Sequence, residues 1–231
     1  MSIELEEVLK DFKNGQKKIK ALSGKDQINE LSKLFEPIAK HLLCGGCFEV
    51  YSGDNLIRRI FPYTVEFYYH EEEGIVKDPI VYHKNTPDYF KSGTINAHQS
   101  GIDITFENED QDAKYRASAL IRAFRVKEGD DINAKYKDDY VRKSRVKSKD
   151  VEYRSTYIYD YLFTNIPFPI KVEWAPLKTE MNAKPIKGYR VNVFQYEEKD
   201  GKLVKTDKQD VKPWAFSLEE FSDKYKLKKT E

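Results

Sequence analysis

Val65-Glu66-Phe67-Tyr68 and Ala119-Leu120-Ile121-Arg122-Ala123 are the two runs on which the fold of this chain turns. Both read as strands, short and apolar, and each contains one charge. A lone acid or base inside an apolar strand is costly to bury unless it is paired or working. Glu66 and Arg122 therefore point to an ion pair or a site. Between the two runs lie Asp78-Pro79, His83, Gly93-Thr94 and Ser100-Gly101-Ile102-Asp103. Their turn-forming and polar character breaks the region into strands and loops.

Working outward, the N-terminal side is helical. Residues 2–14 place Ile3, Leu5, Val8, Leu9 and Phe12 on one side, and Gly15 is predicted to end the helix. Asp26 is predicted to cap a second helix through about Leu43, with Leu31, Leu34, Phe35 and Ile38 inward and Pro37 kinking or splitting it. Strands are predicted at 47–51, 56–61 and 63–69, with a turn at Ser52-Gly53-Asp54-Asn55, then a loop over 70–92, then strands at 93–97, 101–107 and 117–127. Residues 186–197 and 202–206 read as a hairpin around Lys199-Asp200-Gly201, and 217–229 as a short charged helix. Helices first and strands afterwards predict an α+β fold. It is read as a single domain over residues 1–231, with N-terminal helices, including a helical extension at 1–25, packed on a curved antiparallel sheet.

Lys+Arg number 40 and Asp+Glu 39, so no global field draws the chain to nucleic acid or to a membrane surface. No apolar run approaches the ~18–20 residues of a membrane span. The N-terminus, MSIELEEVLK, has no signal-peptide pattern, which makes the cytoplasm the expected location. Any basic patch must be local. Residues 129–150 supply one candidate, a basic insertion with Arg142, Lys143, Arg145 and Lys147, interleaved with Tyr136 and Tyr140 and diluted by Asp138 and Asp139. Aromatic rings among cations can stack on bases and track a phosphate backbone. Residues 152–163 alternate aromatic side chains: Tyr153, Tyr157, Tyr159, Tyr161 and Phe163.

Glu66 has two readings at this level. It is a general base or an electrostatic stabiliser in a pocket walled by Phe67, Tyr68 and Tyr69, or a structural partner of Arg122 or Arg59. His83 is either a loop residue in a site or a surface histidine. Cys44 and Cys47 lack the further ligands a zinc site needs, so they read as buried thiols, and neither a metal nor a cofactor is expected.

Taken in order, these pieces resemble the alkyladenine (3-methyladenine) DNA glycosylase family. Ala39-Lys40-His41-Leu42-Leu43, Gly45-Gly46 and Phe48-Glu49-Val50 match its helix leading through glycine into a strand. Thr64-Val65-Glu66-Phe67-Tyr68 matches its glutamate-bearing strand. Asp78-Pro79 with His83, then Gly93 and Gly101, then Leu120-Ile121-Arg122-Ala123 and Pro213-Trp214-Ala215-Phe216 follow in the family's order. The likeness covers roughly residues 35–127 and 186–217.

The resemblance implies the curved-sheet fold of that family, like that of formyltransferase C-terminal domains. It implies metal-independent hydrolysis of the N-glycosidic bond of a flipped, alkylated or deaminated purine. Glu66 and Arg122 would be catalytic, and Tyr68, His83, Phe67 and Glu107 would contact the base. Three positions depart from the pattern. Ser100 stands where the family has a tyrosine wedge, Glu107 where it has asparagine, and Phe67 where it has a small alanine. Flipping costs a few kcal/mol, which a wedge helps offset. The expected partner is therefore single-stranded or distorted DNA. The alternatives are a non-catalytic nucleic-acid or ligand-binding module on the same fold and a protein-interaction domain.

Overall fold

The computed structural model describes residues 3–98, 101–111, 113–129, 138–139, 166–179 and 181–218. Two helices, α1 (Ile3–Ile19) and α2 (Gly24–Cys44), open the chain. α1 outruns its predicted end at Gly15. A Cβ at Gly15 would stand 2.5 Å from Leu34 Cδ2 on α2, so this glycine serves the close approach of the two helices and does not stop the first. α1 contributes Leu5, Leu9 and Phe12 to the core. In α2 the residue ahead of the first turn is Ser23. Asp26, predicted as the cap, lies inside that turn and accepts a 2.5 Å bond from Ser23 Oγ. Pro37 does not split the helix. It sits on the exposed side, where the ladder bond it removes lies toward water, while Phe35, Ile38 and Ala39 are fully buried.

The strands form a strongly curled antiparallel half-barrel on which the helices pack. They are β1 (Gly46–Ser52), β2 (Asn55–Glu71), β3 (Ile95–His98), β4 (Gly101–Thr105), β5 (Tyr115–Glu128), β6 (Asp138–Asp139), β7 (Ile170–Pro176), β8 (Ile186–Gly188), β9 (Phe194–Lys199), β10 (Lys202–Gln209) and β11 (Ala215–Ser217). The order across the sheet is β3-β4-β5-β2-β1-β7. β11 lies beside the second half of β2 and carries β8, β6 pairs antiparallel with the end of β5, and β9 with β10 forms a separate hairpin. β8 is divided from that hairpin by Asn192, whose φ of 59° breaks the extended run predicted over 186–197.

β2 is one strand where two were predicted. Pro62 lies within it, at a bulge, the place where a missing N–H is tolerated. The register steps from Pro62↔Phe124 to Thr64↔Ala123 and then to Val65↔Ile121. Tyr63 on β2 and Arg122 on β5 are the residues passed over. Beyond the bulge Glu66 faces Leu120 on one side and Ala215 of β11 on the other, so it stands in mid-sheet.

Strand alternation then divides the side chains. Val65, Phe67 and Tyr69 face the helices with Ala117, Ala119 and Ile121, and all are buried. The Phe67 ring stacks on Phe35 of α2 at 4.4 Å between centroids and 7° between planes. Phe12, Phe106 and Trp214 close the aromatic cluster around Phe35. Glu66, Tyr68, Ser118 and Leu120 take the opposite face. Among the described residues no helix is long and apolar enough to cross a membrane.

Candidate functional site

Glu66 is fully buried on the face away from the helices. Its Oε1 accepts the Val191 N–H at 2.6 Å and stands 3.8 Å from Arg122 Nε, and its Oε2 accepts the Tyr68 hydroxyl at 2.9 Å. The β5 bulge is what brings Arg122 here. A bulged residue leaves the regular ladder and its side chain is re-aimed. Arg59, the other partner considered for Glu66, pairs with Glu49 at 2.8 Å instead. A carboxylate offers about four lone-pair directions. Two are taken by hydrogen bonds, from Val191 and Tyr68, while Arg122 at 3.8 Å faces the carboxylate as an ion pair, so lone-pair capacity remains for a further donor. Tyr68 keeps part of its surface accessible. Burial of its hydroxyl end and the adjacent Glu66 charge push its pKa well above the usual phenol value, so it stays a donor to the carboxylate.

Behind this group sits Arg190, with no exposed surface. It pairs with Asp78 at 2.5 Å and Asp210 at 2.9 Å, donates to the Phe67 carbonyl at 3.3 Å, and lies 4.9 Å from the Tyr68 ring centroid and 5.2 Å from that of Trp214. Burial works against its charge, but the two carboxylates outweigh burial and hold its pKa above the ordinary value. Arg190 precedes Val191, so the network that fixes it also fixes the N–H on Glu66. Sequence reading missed Arg190, although it stands beside apolar Val191 and Val193 and carries the same signal that singled out Arg122: a charge inside an apolar stretch.

His83 lies on the same side of the sheet but is committed to a second network. It sits in a short 3-10 turn, Tyr82–Asn85, and is 1% exposed. Its Nδ1 bonds Glu107 Oε1, and its Nε2 lies 3.3 Å from Ser118 Oγ. The other Glu107 oxygen accepts the Phe90 N–H at 2.8 Å and Arg116 Nη1 at 3.0 Å. Arg116 also donates to the carbonyls of Thr86 and Asp88 and stacks under Tyr89. A loop histidine on the surface is thus replaced by a buried one, and Glu107 anchors the loop over residues 82–92. Ser118 and Arg116 were also missed, since nothing in sequence brings a loop residue to a strand it does not neighbour.

The structure brings Glu66, Tyr68 and Arg122 together and joins His83 to Glu107. It corrects Phe67 and Tyr69. Alternation sends both into the helix-facing core, so neither walls the Glu66 side. Arg142, Lys143, Arg145 and Lys147, the aromatic stretch at 152–163 and Ser100 lie outside the described residues, as does most of the predicted C-terminal helix, whose first residue, Ser217, ends β11. Cys44 and Cys47 are buried thiols outside any disulfide, and burial pushes Cys47 up to about 12. Among the described residues no group of three or more His, Cys, Asp or Glu is placed to hold a metal ion. Two surface cavities lie away from Glu66. One of about 590 Å³ runs between Pro37 and Lys40 of α2 and Pro185, Lys187 and Phe216. One of about 370 Å³ lies between α1 and Phe106, Glu107 and Tyr115. No family model, curated protein or solved structure matches this chain.

Proposed function

We propose that the chain hydrolyses the N-glycosidic bond of an alkylated or deaminated purine, with Glu66 taking a proton from the attacking water. The observation that carries this is the Glu66 carboxylate itself. It is buried in mid-sheet, fixed by Val191 and Tyr68, and faced by Arg122 at 3.8 Å, with lone pairs that these two hydrogen bonds do not use. A base held in one orientation by preorganised neighbours acts without reorganising, and its charge counters a developing oxocarbenium ion. Tyr68, still partly accessible, is the surface on which a base would stack. Single-stranded or already distorted DNA is the substrate, since Ser100 is too small to fill a vacated stack.

The test is release of hypoxanthine or methylated adenine from labelled oligonucleotides. Release should be faster from single-stranded or mismatched DNA than from intact duplex, and Glu66→Gln should abolish it. Undiminished release by Glu66→Gln rejects the mechanism.

A second reading has its own observation. Every described bond of Glu66 is internal, and His83 is sealed between Glu107 and Ser118. A polar core that only shapes the fold would look like this. On that reading the chain is a non-catalytic binding module, and the wild-type protein releases no base from any substrate.

A further inference from the structure

We propose that the groove between α2 and residues 184–187 binds a small amphiphilic acid, an acyl or aryl body carrying one carboxylate. The body lies over Phe216 and the carboxylate beside Lys184. This site is independent of the glycoside reading. Phe216 belongs to the core on the helix side of the sheet, and Glu66 takes the opposite face.

The groove holds about 590 Å³, inside the ~300–1,000 Å³ of small-molecule sites. Its floor is Phe216, whose ring meets Phe67 of the core at 5.6 Å between centroids. Pro37 of α2 and Pro185 wall it. The gap stays open because both sides are tied elsewhere. Ser32 of α2 donates to the Pro213 carbonyl at 2.7 Å, just ahead of β11. Beyond the helix end, the Met181 N–H bonds the Cys44 carbonyl at 3.0 Å. β8 is then held on β11, with Lys187 opposite Phe216. A ligand therefore meets a formed site and has little to order on binding.

The lining selects the ligand. A phenyl ring has no polar atom and proline has no N–H to donate, so floor and walls favour an apolar body. The charged side chains are three lysines, Lys40, Lys184 and Lys187, against one acid, Glu36. Lysine donates and cannot accept. The end of the ligand that meets them must therefore accept, and the excess of cations calls for a negative charge. Lys187 is already engaged: its Nζ pairs with Glu36 and lies 5.7 Å from the Phe216 ring centroid. Lys184 is exposed and has no ion pair among the described residues. Apolar floor and cationic rim thus share one groove. A carboxylate at the rim keeps its water while the body behind it leaves water against Phe216, so the head is not desolvated at the cost a buried ion incurs.

Calorimetric titration of the full chain with hexanoate, octanoate and decanoate tests this. Binding should saturate at one ligand per chain and tighten about fourfold for each methylene taken out of water. 1-Octanol, the same body without the charge, should bind more weakly than octanoate. Lys184→Glu turns an attraction into a repulsion and should weaken octanoate binding by about tenfold, with octanol unaffected. Glu36→Gln removes the competing acid and should strengthen octanoate binding. Both residues are exposed, so neither change touches the core, and the ratio of octanoate to octanol affinity cancels any loss of folded protein. Nuclear Overhauser contacts between octanoate and the Phe216 ring should place the body. No binding of any of the three acids, an octanoate-to-octanol ratio that Lys184→Glu leaves unchanged, or octanoate without contact to Phe216 overturns the proposal. Binding to phosphatidylglycerol vesicles without uptake of the free acids also overturns it, and makes this face a contact for a lipid surface.

Discussion

Val191 donates its backbone N–H to Glu66 Oε1 at 2.6 Å, and the residue before it, Arg190, is buried between two carboxylates. The bond on the proposed base and a fully buried ion network are thus one peptide unit apart. The network joins three stretches distant in sequence: the loop at Asp78, the turn at Arg190 and the segment at Asp210.

Removing Arg190 should be severe. Arg190→Met keeps the volume but leaves Asp78 and Asp210 facing each other without their shared cation. Breaking a buried pair by deleting one partner costs about 3–5 kcal/mol. Lys212, 2.8 Å from Asp210, compensates only that side. The triple variant Arg190→Met, Asp78→Asn, Asp210→Asn should recover much of the loss. Urea denaturation of the single and triple variants measures both, and a single variant within 1 kcal/mol of the wild type refutes the account.

Two glycines make opposite predictions. A Cβ at Gly46 would lie 2.5 Å from the Trp174 ring and 2.6 Å from the Ala175 carbonyl oxygen, atoms that cannot step aside. Gly46→Ala should cost about 1–3 kcal/mol through overpacking. A Cβ at Gly15 meets only the methyl end of Leu34, a partly exposed side chain that can rotate. Alanine there gains about 1 kcal/mol of helix propensity, so Gly15→Ala should be neutral or mildly stabilising. Thermal melts of both variants decide it, and equal losses would contradict the geometry.

The strand runs, the helix-first order and Arg122 as one of two candidate partners of Glu66 were legible in the sequence. A charge inside an apolar strand has few affordable explanations, and apolar periodicity marks a helix or strand without outside help. What was not legible came from distance and from bulges. Gly15 reads as a stop until the second helix is seen against it. Phe67 reads as a pocket wall until the register shows that it and Glu66 point to opposite faces. His83 reads as a free loop residue because its partners, Glu107 and Ser118, are brought near only by the loop folding back on β5.

Acid should weaken the fold through His70. Its Nδ1 accepts the Asp78 N–H at 3.2 Å, which needs the neutral ring. Burial, then Lys84 and Lys77, lower its pKa below the ordinary value of 6.5, and Asp78 opposes them only in part. A group whose pKa is lower folded than unfolded binds more protons unfolded. Stability therefore falls as the pH drops through about 6.5 and on through the folded pKa, and it is fully regained above 6.5. His70→Gln keeps an acceptor that does not titrate and should flatten this part of the stability–pH curve. Denaturant midpoints between pH 7.5 and 5 measure the slope, and an identical slope in the variant removes His70 as its source.

The helices should loosen from the sheet when Glu71 is lost. This buried carboxyl at the end of β2 accepts from Gln27 of α2 at 2.6 Å, Gln16 of α1 at 3.4 Å, the Tyr69 hydroxyl at 2.9 Å and the Val76 N–H at 3.1 Å. Two helices, a strand and a loop thus converge on one side chain. Glu71→Ala strands these donors in the interior, and each buried donor without a partner costs about 1–3 kcal/mol. Water entering the space left by the shorter side chain recovers part of that, so a net loss of about 2–4 kcal/mol is expected. The loss should not be uniform. α1 meets this end of the sheet through Gln16, which bonds both Tyr69 and Glu71. Amide hydrogen exchange in α1 should accelerate before that of β2 and β5, because local opening draws on the weakest attachment first. If α1 and β5 lose protection together, the helix is held by its apolar face alone and Glu71 is not its fastening.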